Sequence, residues 1–317
     1  MGIILKLTKK ADIEERDVFF GIDIGGSKAR IVVVIKEGEN RTVAILPSSM
    51  DEFRYDDRKL TRDEMQKGLV GLINPLFHFY RPKSFGIALP APIINGKAVL
   101  SYNNPTFAVD DFLSKRYGVP ALIENDGNLA ALGEWFFGWQ NDNKPESLFL
   151  ISLGTGCGAG YMYKGTLVRG YRNSAFEFGH MTMLHSLNHL ARCSCGNFNH
   201  VESFVSGQFF KQKGLDPIKE ESRARFGDRE SIANFSLFGA YLGDAVANIF
   251  KLLAPQKILV TGGLTNAYDL FLPAANFIFQ SDNIVHLSNP KARIDVARTG
   301  NNAVALGAAL WATGRYI

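Results

Sequence analysis

The sequence predicts an α/β protein built from two domains. Its 317 residues correspond to about two domains of average length. Predicted strands and helices alternate along most of the chain, and three of the strands end in clusters of glycine. Two stretches open alike, with a strand, a glycine turn and a second strand, so we expect two similar halves around a cleft.

The elements in the first part of the chain follow from residue patterns. Apolar and β-branched runs predict strands at 18–23, 31–35, 41–46, 84–89 and 120–124. Helical spacing of apolar residues predicts helices at 61–79, 109–117 and 128–137, the first of them interrupted by Pro75. This part is therefore rich in strands at its start and alternates between strand and helix afterwards.

The second part of the chain repeats this pattern. Strands are predicted at 147–153, 159–163 and 257–260, helices dominate from 201 to about 253, and a helix of small residues follows at 303–312. No linker marks a boundary, so topology alone places it near residue 118. We expect a smaller N-terminal α/β domain over 1–118, onto which the C-terminal helix at about 302–317 packs back. A larger α/β domain with a zinc-binding segment is expected over 119–301.

Composition excludes several classes of protein. No run of 18 apolar residues exists, which excludes a membrane-spanning helix, and the net charge of +4 is too small to require a nucleic-acid or membrane partner. The N-terminus MGIILKLTKK places its charges after the apolar stretch, unlike an export signal. Three cysteines do not make a disulfide framework. We expect a cytoplasmic protein.

The first glycine turn follows a predicted buried strand and contains Asp23, Gly25, Gly26, Ser27 and Lys28. Glycines let a backbone approach an anion closely, and successive N–H groups can then point at phosphate oxygens. Ser27 adds a hydroxyl and Lys28 a charge, while a carboxylate such as Asp23 at a strand end suits a hydrated Mg²⁺. A plain Gly-Gly hairpin with a charged rim is the alternative interpretation.

Two further turns have a similar character. Gly154, Thr155 and Gly156 belong to a run of four alternating glycines that follows a predicted buried strand, more than a hairpin requires. The run lacks the spacing of a Walker loop, and a strand follows it where a dinucleotide fingerprint needs a helix. Gly262 and Gly263 follow a strand and precede a helix, a geometry that suits a phosphate or a flat ring.

A candidate catalytic carboxylate lies where a predicted strand gives way to a helix. Asp126 follows Asn125 at this position, and α/β sheets bind ligands at the carboxyl ends of their strands. One carboxylate there can accept a proton from a substrate hydroxyl. The alternative is that Asp126 or Asn125 only caps the helix, which both residue types do well.

A candidate zinc site lies in one short segment. The two thiolates of a Cys-Ser-Cys-Gly turn, with an imidazole on each side, complete a tetrahedron and neutralise the charge of Zn²⁺. The four candidate ligands are His180, Cys193, Cys195 and His200. His185 and His189 are nearby alternatives, and reduced thiols beside surface histidines are the interpretation without a metal. Cys157 is expected to be a packing residue.

Taken together, these motifs resemble those of the ROK family of sugar kinases and sugar-responsive repressors, over nearly the whole chain. The matching segments are 23–28 and 154–160 for the phosphate turns, 124–134 for the catalytic segment, 175–180 for the sugar-binding motif and 193–202 for a zinc motif that ends in a sugar-binding Glu. Each motif alone is weak, but their order and spacing together are specific.

The resemblance implies an α/β fold of the two-domain, actin-like ATPase type (ribonuclease H-like), with an interdomain cleft. It implies a kinase that transfers a phosphoryl group from ATP to a hexose or N-acetylhexosamine, at the hydroxyl on C6. Mg²⁺ is then a cofactor and Zn²⁺ has a structural role. The resemblance also implies a homodimer and a small-molecule sugar substrate, while the composition leads us to expect neither a nucleic-acid nor a membrane partner.

The same resemblance assigns roles to individual residues. Asp126 is the general base, the first two glycine turns bind the phosphates of ATP, and Gly262 and Gly263 pack near the adenosine. The sugar hydroxyls are held by Asn103, Asn125, Glu177, His180 and Glu202. His180 then serves both the zinc and the sugar through its two ring nitrogens.

The chain departs from the family pattern at one point of the zinc motif. Where the family usually has Gly-Cys before the last Glu, this chain has Asn199 and His200. Because zinc accepts imidazole as well as thiolate, we expect the site to persist with altered geometry.

A non-catalytic sugar-sensing regulator of the same family is the alternative function. That branch carries a DNA-binding helix-turn-helix ahead of the kinase-like part, and we expect the roughly 17 residues before the first predicted strand to be too few for one. Asp126 also favours catalysis, because a sensor needs no base.

Overall fold

A computed structural model of the chain describes residues 2–6, 17–37, 41–46, 52–55, 60–98, 108–139, 144–183 and 191–316. The strands within these residues are β1 (Gly2–Lys6), β2 (Asp17–Ile24), β3 (Lys28–Glu37), β4 (Arg41–Leu46), β5 (Glu52–Arg54), β6 (Ser84–Leu89), β7 (Ile93–Ile94), β8 (Lys97–Ala98), β9 (Ala121–Asn125), β10 (Ser147–Leu153), β11 (Cys157–Tyr163), β12 (Thr166–Val168), β13 (Lys257–Thr261) and β14 (Ile294–Val296). The helices are α1 (Arg62–Tyr80), α2 (Val109–Tyr117), α3 (Asp126–Phe137), α4 (Gly207–Gln212), α5 (Pro217–Arg225), α6 (Arg229–Leu253), α7 (Tyr268–Ser281), α8 (Asn283–Ser288) and α9 (Ala303–Trp311). The predictions for β4, β6, β10 and α2 are confirmed residue for residue.

The chain divides into two compact units, of which the first comprises residues 1–144, 165–175 and 302–317. Its sheet has the strand order β1-β4-β3-β2-β6-β9, with β5 paired to β3 beside it. Strand β3 is antiparallel to both of its neighbours, β2 and β4, whereas β1 runs parallel to β4, and β6 and β9 run parallel to β2. Because β9 pairs with β6, the first unit extends beyond residue 118, where the sequence predicted a boundary.

One face of this sheet packs on α1. Val18, Phe20 and Ile22 alternate along β2 and are buried in one apolar cluster with Leu69 and Ile73 of α1. The period of two in the strand and the spacing of four in the helix put these side chains on facing surfaces. This face therefore forms the core of the first unit.

The other face of the sheet approaches α9 so closely that side chains are excluded. A Cβ atom built on Gly21 of β2 would lie 2.0 Å from the carbonyl oxygen of Ala305. Helix α9 also meets α3, where a Cβ on Gly307 would lie 1.7 Å from the carbonyl oxygen of Leu129. The small residues of α9 therefore allow backbone-to-backbone packing on both β2 and α3.

Helix α1 runs through the proline that was predicted to interrupt it. It begins with a capping box, in which the Glu64 N–H donates to the Thr61 hydroxyl at 3.3 Å and the Thr61 N–H donates to the Glu64 carboxylate at 2.8 Å. Pro75 removes one N–H from the helix, leaving the Gly71 carbonyl without that donor. Gly71 and Pro75 are both exposed, so water can replace the donor, and the helix continues to Tyr80. The predicted interruption is wrong.

The second unit comprises residues 145–164 and 176–301. Its sheet contains the order β11-β10-β13-β14, in which β10 and β11 are antiparallel and β13 runs parallel to both β10 and β14. Helices α6 and α7 meet where a Cβ built on Gly239 would lie 2.1 Å from the carbonyl oxygen of Phe271. The rings of Phe238 and Phe271 are 5.2 Å apart in the same contact.

Each unit contains a β-hairpin with a glycine turn, formed by β2 and β3 in the first and by β10 and β11 in the second. These are the two strand–turn–strand stretches that the sequence predicted. Across the described ranges, none of the helices combines the length and the apolar character needed to span a membrane.

The contact between α3 and α9 can be tested by adding one methyl group. Gly307→Ala should lower the free energy of unfolding by about 1–3 kcal/mol, because the new Cβ meets the Leu129 carbonyl and forces the helices apart. Urea unfolding followed by circular dichroism measures this change.

Gly71→Ala is the matched control, because it makes the same substitution inside a helix where no heavy atom apart from the helix's own backbone lies within 4 Å of the new Cβ. It should raise the free energy of unfolding by about 0.5–1 kcal/mol through helix propensity alone. Equal effects of the two substitutions would contradict close packing at Gly307.

Candidate active site

The first glycine turn joins β2 to β3. Asp23 and Arg30 are partners in the register of this hairpin, and the Gly25 N–H donates to the Lys28 carbonyl at 2.9 Å. Burial raises the pKa of Asp23 from 3.8 to about 6, although the positive charges of Arg30 and Lys28 act in the opposite direction. A further positive charge close to Asp23 would therefore stabilise its ionised carboxylate.

A carboxylate that the sequence did not single out lies beside this turn. Glu52 of β5 accepts hydrogen bonds from Lys28 Nζ at 3.2 Å and from Arg30 Nε at 2.6 Å, and its second oxygen is 2.7 Å from a guanidinium nitrogen of Arg54. Burial raises the pKa of Glu52, but Arg30 and the bond from Lys28 outweigh burial and hold the pKa below its usual value. Lys28, which was predicted to meet a phosphate, is thus paired with Glu52.

Asn125 and Asp126 occupy the junction of β9 and α3. Asn125 is the N-cap, and its side-chain oxygen accepts from the N–H groups of Gly127 at 2.9 Å and Asn128 at 3.2 Å. Asp126 is the first helical residue and accepts from the Gly127 N–H at 2.8 Å. Of the two capping residues that the sequence left open, the structure selects Asn125, and the Asp126 carboxylate lies at the positive end of the helix.

Glu124, which precedes this junction, is buried and anchors it. Its carboxylate accepts from the Asn125 N–H at 2.7 Å and from the Asn128 side-chain amide at 3.2 Å. Its second oxygen is 3.4 Å from a guanidinium nitrogen of Arg169. These contacts fix the strand end that precedes Asp126.

The second glycine turn joins β10 to β11. The Gly154 N–H donates to the Gly156 carbonyl at 3.0 Å, and the Gly154 carbonyl accepts from the Gly207 N–H at 2.8 Å. A Cβ built on Gly154 would meet no other heavy atom within 4 Å, whereas one on Gly156 would lie 2.6 Å from a carboxylate oxygen of Glu202. Thr155, at the tip, is exposed. The turn therefore has space at Gly154, whereas a side chain at Gly156 would displace the Glu202 carboxylate from its position.

Glu202 joins this turn to the cysteine segment. One of its carboxylate oxygens accepts from the Cys157 N–H at 3.0 Å. The other accepts from the Ser194 hydroxyl and lies 3.5 Å from the Sγ of Cys193. The predicted sugar-binding residue Glu202 is thus buried, and it is bonded both to its own cysteine segment and to Cys157, which is 45 residues away in sequence.

The four predicted zinc ligands lie together. The ligand atoms of His180, Cys193, Cys195 and His200 are all within 4.8 Å of one another. Within this set, Cys193 Sγ is 3.6 Å from His180 Nδ1, and Cys195 Sγ is 3.3 Å from His200 Nδ1. The Nε2 atom of His180 is 3.9 Å from the carboxylate of Glu177. His180 therefore turns one ring nitrogen to a cysteine and the other to a predicted sugar-binding residue.

Asn199 stands where the family pattern usually has glycine, and its backbone has a conformation that glycine favours. Its φ of +58° lies in the left-handed region, which glycine adopts readily and asparagine better than most other residues. Its side-chain oxygen accepts from the Ala191 N–H at 3.0 Å, and its own N–H donates to the Ala191 carbonyl at 2.7 Å. The turn before His200 thus keeps the conformation that glycine would give it.

The third turn, Gly262 and Gly263, follows β13. Gly262 has a φ of +99°, and a Cβ on it would lie 2.4 Å from the carbonyl oxygen of Leu153. The Gly262 carbonyl accepts from the Thr265 hydroxyl at 2.6 Å. No other heavy atom lies within 4 Å of the Cβ position of Gly263. This turn is therefore held close to the end of β10, which leads into the second turn.

The predicted site residues divide between the two units. The first unit contains the turn 23–28 with Asn125 and Asp126, and the second contains the other described site residues. Asn103, a predicted sugar-binding residue, lies outside the described residues, as do the alternative zinc ligands His185 and His189.

The chain matches the model of one protein family and is similar in sequence to named proteins, among them two kinases and a repressor. The ROK family model matches residues 19–315. A glucokinase of Halalkalibacterium halodurans is 27% identical, over 91% of this chain and 93% of the relative. An N-acetyl-D-glucosamine kinase of Histophilus somni is 28% identical, over 78% of this chain and 85% of the relative. A xylose repressor of Bacillus subtilis is 26% identical, over 96% of this chain and 78% of the relative.

Among solved structures, a ROK family glucokinase from Streptomyces griseus in complex with glucose and AMPPNP is similar to this chain. The TM-score is 0.78 at 24% identity, and the match covers 94% of this chain and 99% of that one. With the strand orders of the two sheets, this similarity confirms the predicted fold class, an α/β fold of the actin-like ATPase type.

The partly buried Asp23 gives a test by pH. Its folded-state pKa of about 6 is above its ordinary 3.8, so its contribution to stability is fully present below about pH 4 and is lost as the pH rises through 6. Asp23→Asn cannot ionise, and its free energy of unfolding should therefore rise relative to wild type across this window, by up to about 3 kcal/mol. Urea unfolding between about pH 4 and pH 8, without Mg²⁺ or nucleotide, measures the difference.

Asp63→Asn controls for the removal of one negative charge, because Asp63 is an exposed carboxylate on α1. An Asp23→Asn variant whose advantage over wild type is the same at low and neutral pH would contradict burial as the cause of the shift.

Proposed function

The chain belongs to the ROK family, and on this premise we propose that it is an ATP-dependent sugar kinase. The substrate is a hexose or an N-acetylhexosamine, and the phosphoryl group goes to the hydroxyl on C6. The similarity to a glucokinase and to an N-acetyl-D-glucosamine kinase, over most of the chain, supports this substrate class.

The position of Asp126 is the observation that supports a kinase most directly. It is the first residue of α3, directly after a strand end, and Asn125 already serves as the cap. The partial positive charge of a helix N-terminus stabilises the ionised carboxylate that a general base requires. In the proposed reaction Asp126 takes the proton of the sugar hydroxyl while that oxygen attacks the γ-phosphorus, and ADP leaves.

Phosphoryl transfer needs positioning and charge neutralisation more than covalent chemistry. The turns at 23–28 and 154–156 are proposed to supply N–H groups to the phosphates of ATP, and Gly262 and Gly263 to pack near the adenosine. Mg²⁺ supplies positive charge that offsets the phosphates. Asp23 fits its binding, because burial disfavours the ionised carboxylate there more than Arg30 and Lys28 favour it, so a further positive charge would stabilise it.

The sugar is proposed to bind through hydrogen bonds to its hydroxyl groups. The residues that would hold it are Asn103, Asn125, Glu177, His180 and Glu202. Of these, His180 has its Nε2 atom 3.9 Å from a carboxylate oxygen of Glu177, and Glu202 is buried in the same unit. Polar groups of this kind reject analogues that lack a hydroxyl, because the protein group is then left without its partner.

A structural Zn²⁺ is part of the proposal. Sulfur and nitrogen ligands of a tetrahedral zinc are about 3.6 Å apart, given the usual bond lengths. The two cysteine–histidine pairs, at 3.6 and 3.3 Å, fit this spacing, and two thiolates with two imidazoles are a donor set that zinc accepts. Zinc would hold His180 and the segment before Glu202 in place.

A non-catalytic, sugar-sensing regulator is the second candidate function. The similarity to a xylose repressor, at 26% identity over 96% of this chain, supports it. A regulator needs sugar-binding residues but no general base, whereas this chain has Asp126 at the start of α3. Sugar binding without phosphoryl transfer would distinguish the regulator from the kinase.

Asp126→Asn tests the general base. The wild-type protein should release ADP with at least one of glucose, fructose, mannose, allose, N-acetylglucosamine and N-acetylmannosamine. The variant keeps the shape of the side chain but not the proton acceptor, so kcat should fall by about 10²–10⁴-fold. A coupled assay of ADP release measures both.

Asp63→Asn is the matched control for this experiment, because Asp63 is an acidic residue in the first turn of another helix, α1, and is exposed. It should retain the wild-type rate. Turnover of none of the sugars, or an undiminished rate in Asp126→Asn, would overturn the proposal. Sugar binding without turnover would then favour the regulator.

Zinc content tests the metal site. The purified protein should contain about one zinc per chain. Loss of a residue that only contacts a metal ligand weakens metal binding by roughly 10–100-fold, and His200→Ala, which removes a ligand itself, should weaken zinc binding by more than this. His200→Cys should retain zinc, because thiolate is also a good zinc ligand. Elemental analysis and chelator titration measure these changes, and a wild-type protein with well under one zinc per chain would contradict the site.

A further inference from the structure

Tyr55, which follows β5, binds the first glycine turn at two points. Its hydroxyl donates to the Gly25 carbonyl, and its backbone N–H donates to the Ser27 carbonyl at 2.9 Å. Tyr55 is 8% exposed, and its ring centre is 5.5 Å from that of Phe53. One buried residue thus holds peptide groups on both sides of the tip of the turn.

These two bonds fix the direction of the N–H groups in the turn. A peptide group is planar and trans, so a carbonyl and the N–H that follows it point in opposite directions. Because the Gly25 carbonyl points at the Tyr55 hydroxyl, the Gly26 N–H points away from that hydroxyl. The Lys28 N–H points away from the Tyr55 backbone for the same reason. Gly26 is exposed, so an anion can reach its N–H.

The segment that carries Tyr55 is itself held at three places. Strand β5 pairs with β3, which begins at the turn. Phe53 lies against α1, where a Cβ built on Gly68 would be 2.1 Å from its ring. Glu52 accepts a hydrogen bond from Arg30 at 2.6 Å. Backbone pairing, ring packing and an ion pair therefore determine where the Tyr55 hydroxyl lies.

We propose that Tyr55 is a positioning residue for the phosphates of ATP, which keeps the Gly26 N–H directed at a phosphate oxygen by holding the Gly25 carbonyl. This inference rests on the proposed kinase function and adds a residue to it. Two successive glycines have little conformational restraint of their own. Without the Tyr55 hydroxyl, the turn loses conformational entropy only when the nucleotide binds, and this loss lowers the affinity.

Tyr55→Phe tests the proposal, because it removes the hydroxyl and keeps the ring and the backbone N–H. The affinity for Mg-AMPPNP should fall about 5–10-fold, as for the loss of one hydrogen bond. The affinity for adenosine, which has no phosphate, should not change. Isothermal titration calorimetry measures both, and in steady-state kinetics the KM for ATP should rise while the KM for the sugar stays the same.

Tyr117→Phe is the matched control, because it removes a tyrosine hydroxyl of the same unit that donates to Asn74 at 2.8 Å. It should bind Mg-AMPPNP like the wild type. Phe53→Leu removes the ring that packs on Tyr55 and against α1 and leaves every charge in place, so it loosens the segment that carries Tyr55 and should also weaken binding of Mg-AMPPNP but not of adenosine. It provides the test if Tyr55→Phe does not fold, as judged by circular dichroism.

Three outcomes decide between the proposals. Wild-type affinity for Mg-AMPPNP in the Tyr55 and Phe53 variants overturns the role of Tyr55 alone. Equal losses for Mg-AMPPNP and adenosine also overturn it, because they indicate a general structural role. A wild-type protein that does not bind Mg-AMPPNP overturns the kinase function, and the role of Tyr55 with it.

Discussion

A glycine-rich turn can present its backbone N–H groups to an anion only if its peptide planes are held from outside, because glycine has no side chain that restricts them. Each of the three glycine turns of this protein has such an anchor. Tyr55 binds the first turn, Glu202 and the Gly207 N–H bind the second, and the strand end at Leu153 lies against the third. The anchors come from segments remote in sequence, so the geometry of the turns depends on the tertiary structure of each unit.

Charge balance imposes a second constraint on the first turn. The Glu52 carboxylate is paired with Lys28, Arg30 and Arg54, and the positive charges of Arg30 and Lys28 also act on the Asp23 carboxylate. A buried charge is costly unless it is paired, so each carboxylate needs these cations close to it. These five side chains comprise three cations and two carboxylates, and the small excess of positive charge suits the approach of a phosphate chain. The net charge of the whole chain, +4, has the same sign.

Much of the fold could be predicted from local sequence, because apolar periodicity determines elements such as β6 and α2 residue for residue. Strand β5 was missed, since Glu52 and Arg54 give it no apolar pattern that would mark a strand. The role of Tyr55 depends on a contact across 30 residues, which no local motif encodes. Asp126 could be located from its motif, but which residue caps α3 depends on side-chain geometry. The family resemblance added what periodicity could not, namely the chemistry assigned to each motif.

The position of Glu202 restricts the two unusual residues of the zinc motif, Asn199 and His200. Glu202 must reach the Cys157 N–H while its other oxygen meets Ser194, which leaves the preceding turn little freedom. Asn199 keeps the left-handed φ of that turn, and His200 keeps a side chain that zinc accepts. A non-glycine residue holds such a conformation only where the surrounding structure requires it. The constraint on this segment is therefore its backbone path, to which the proposed zinc site adds the type of ligand atom, and both can be satisfied by residues other than glycine and cysteine.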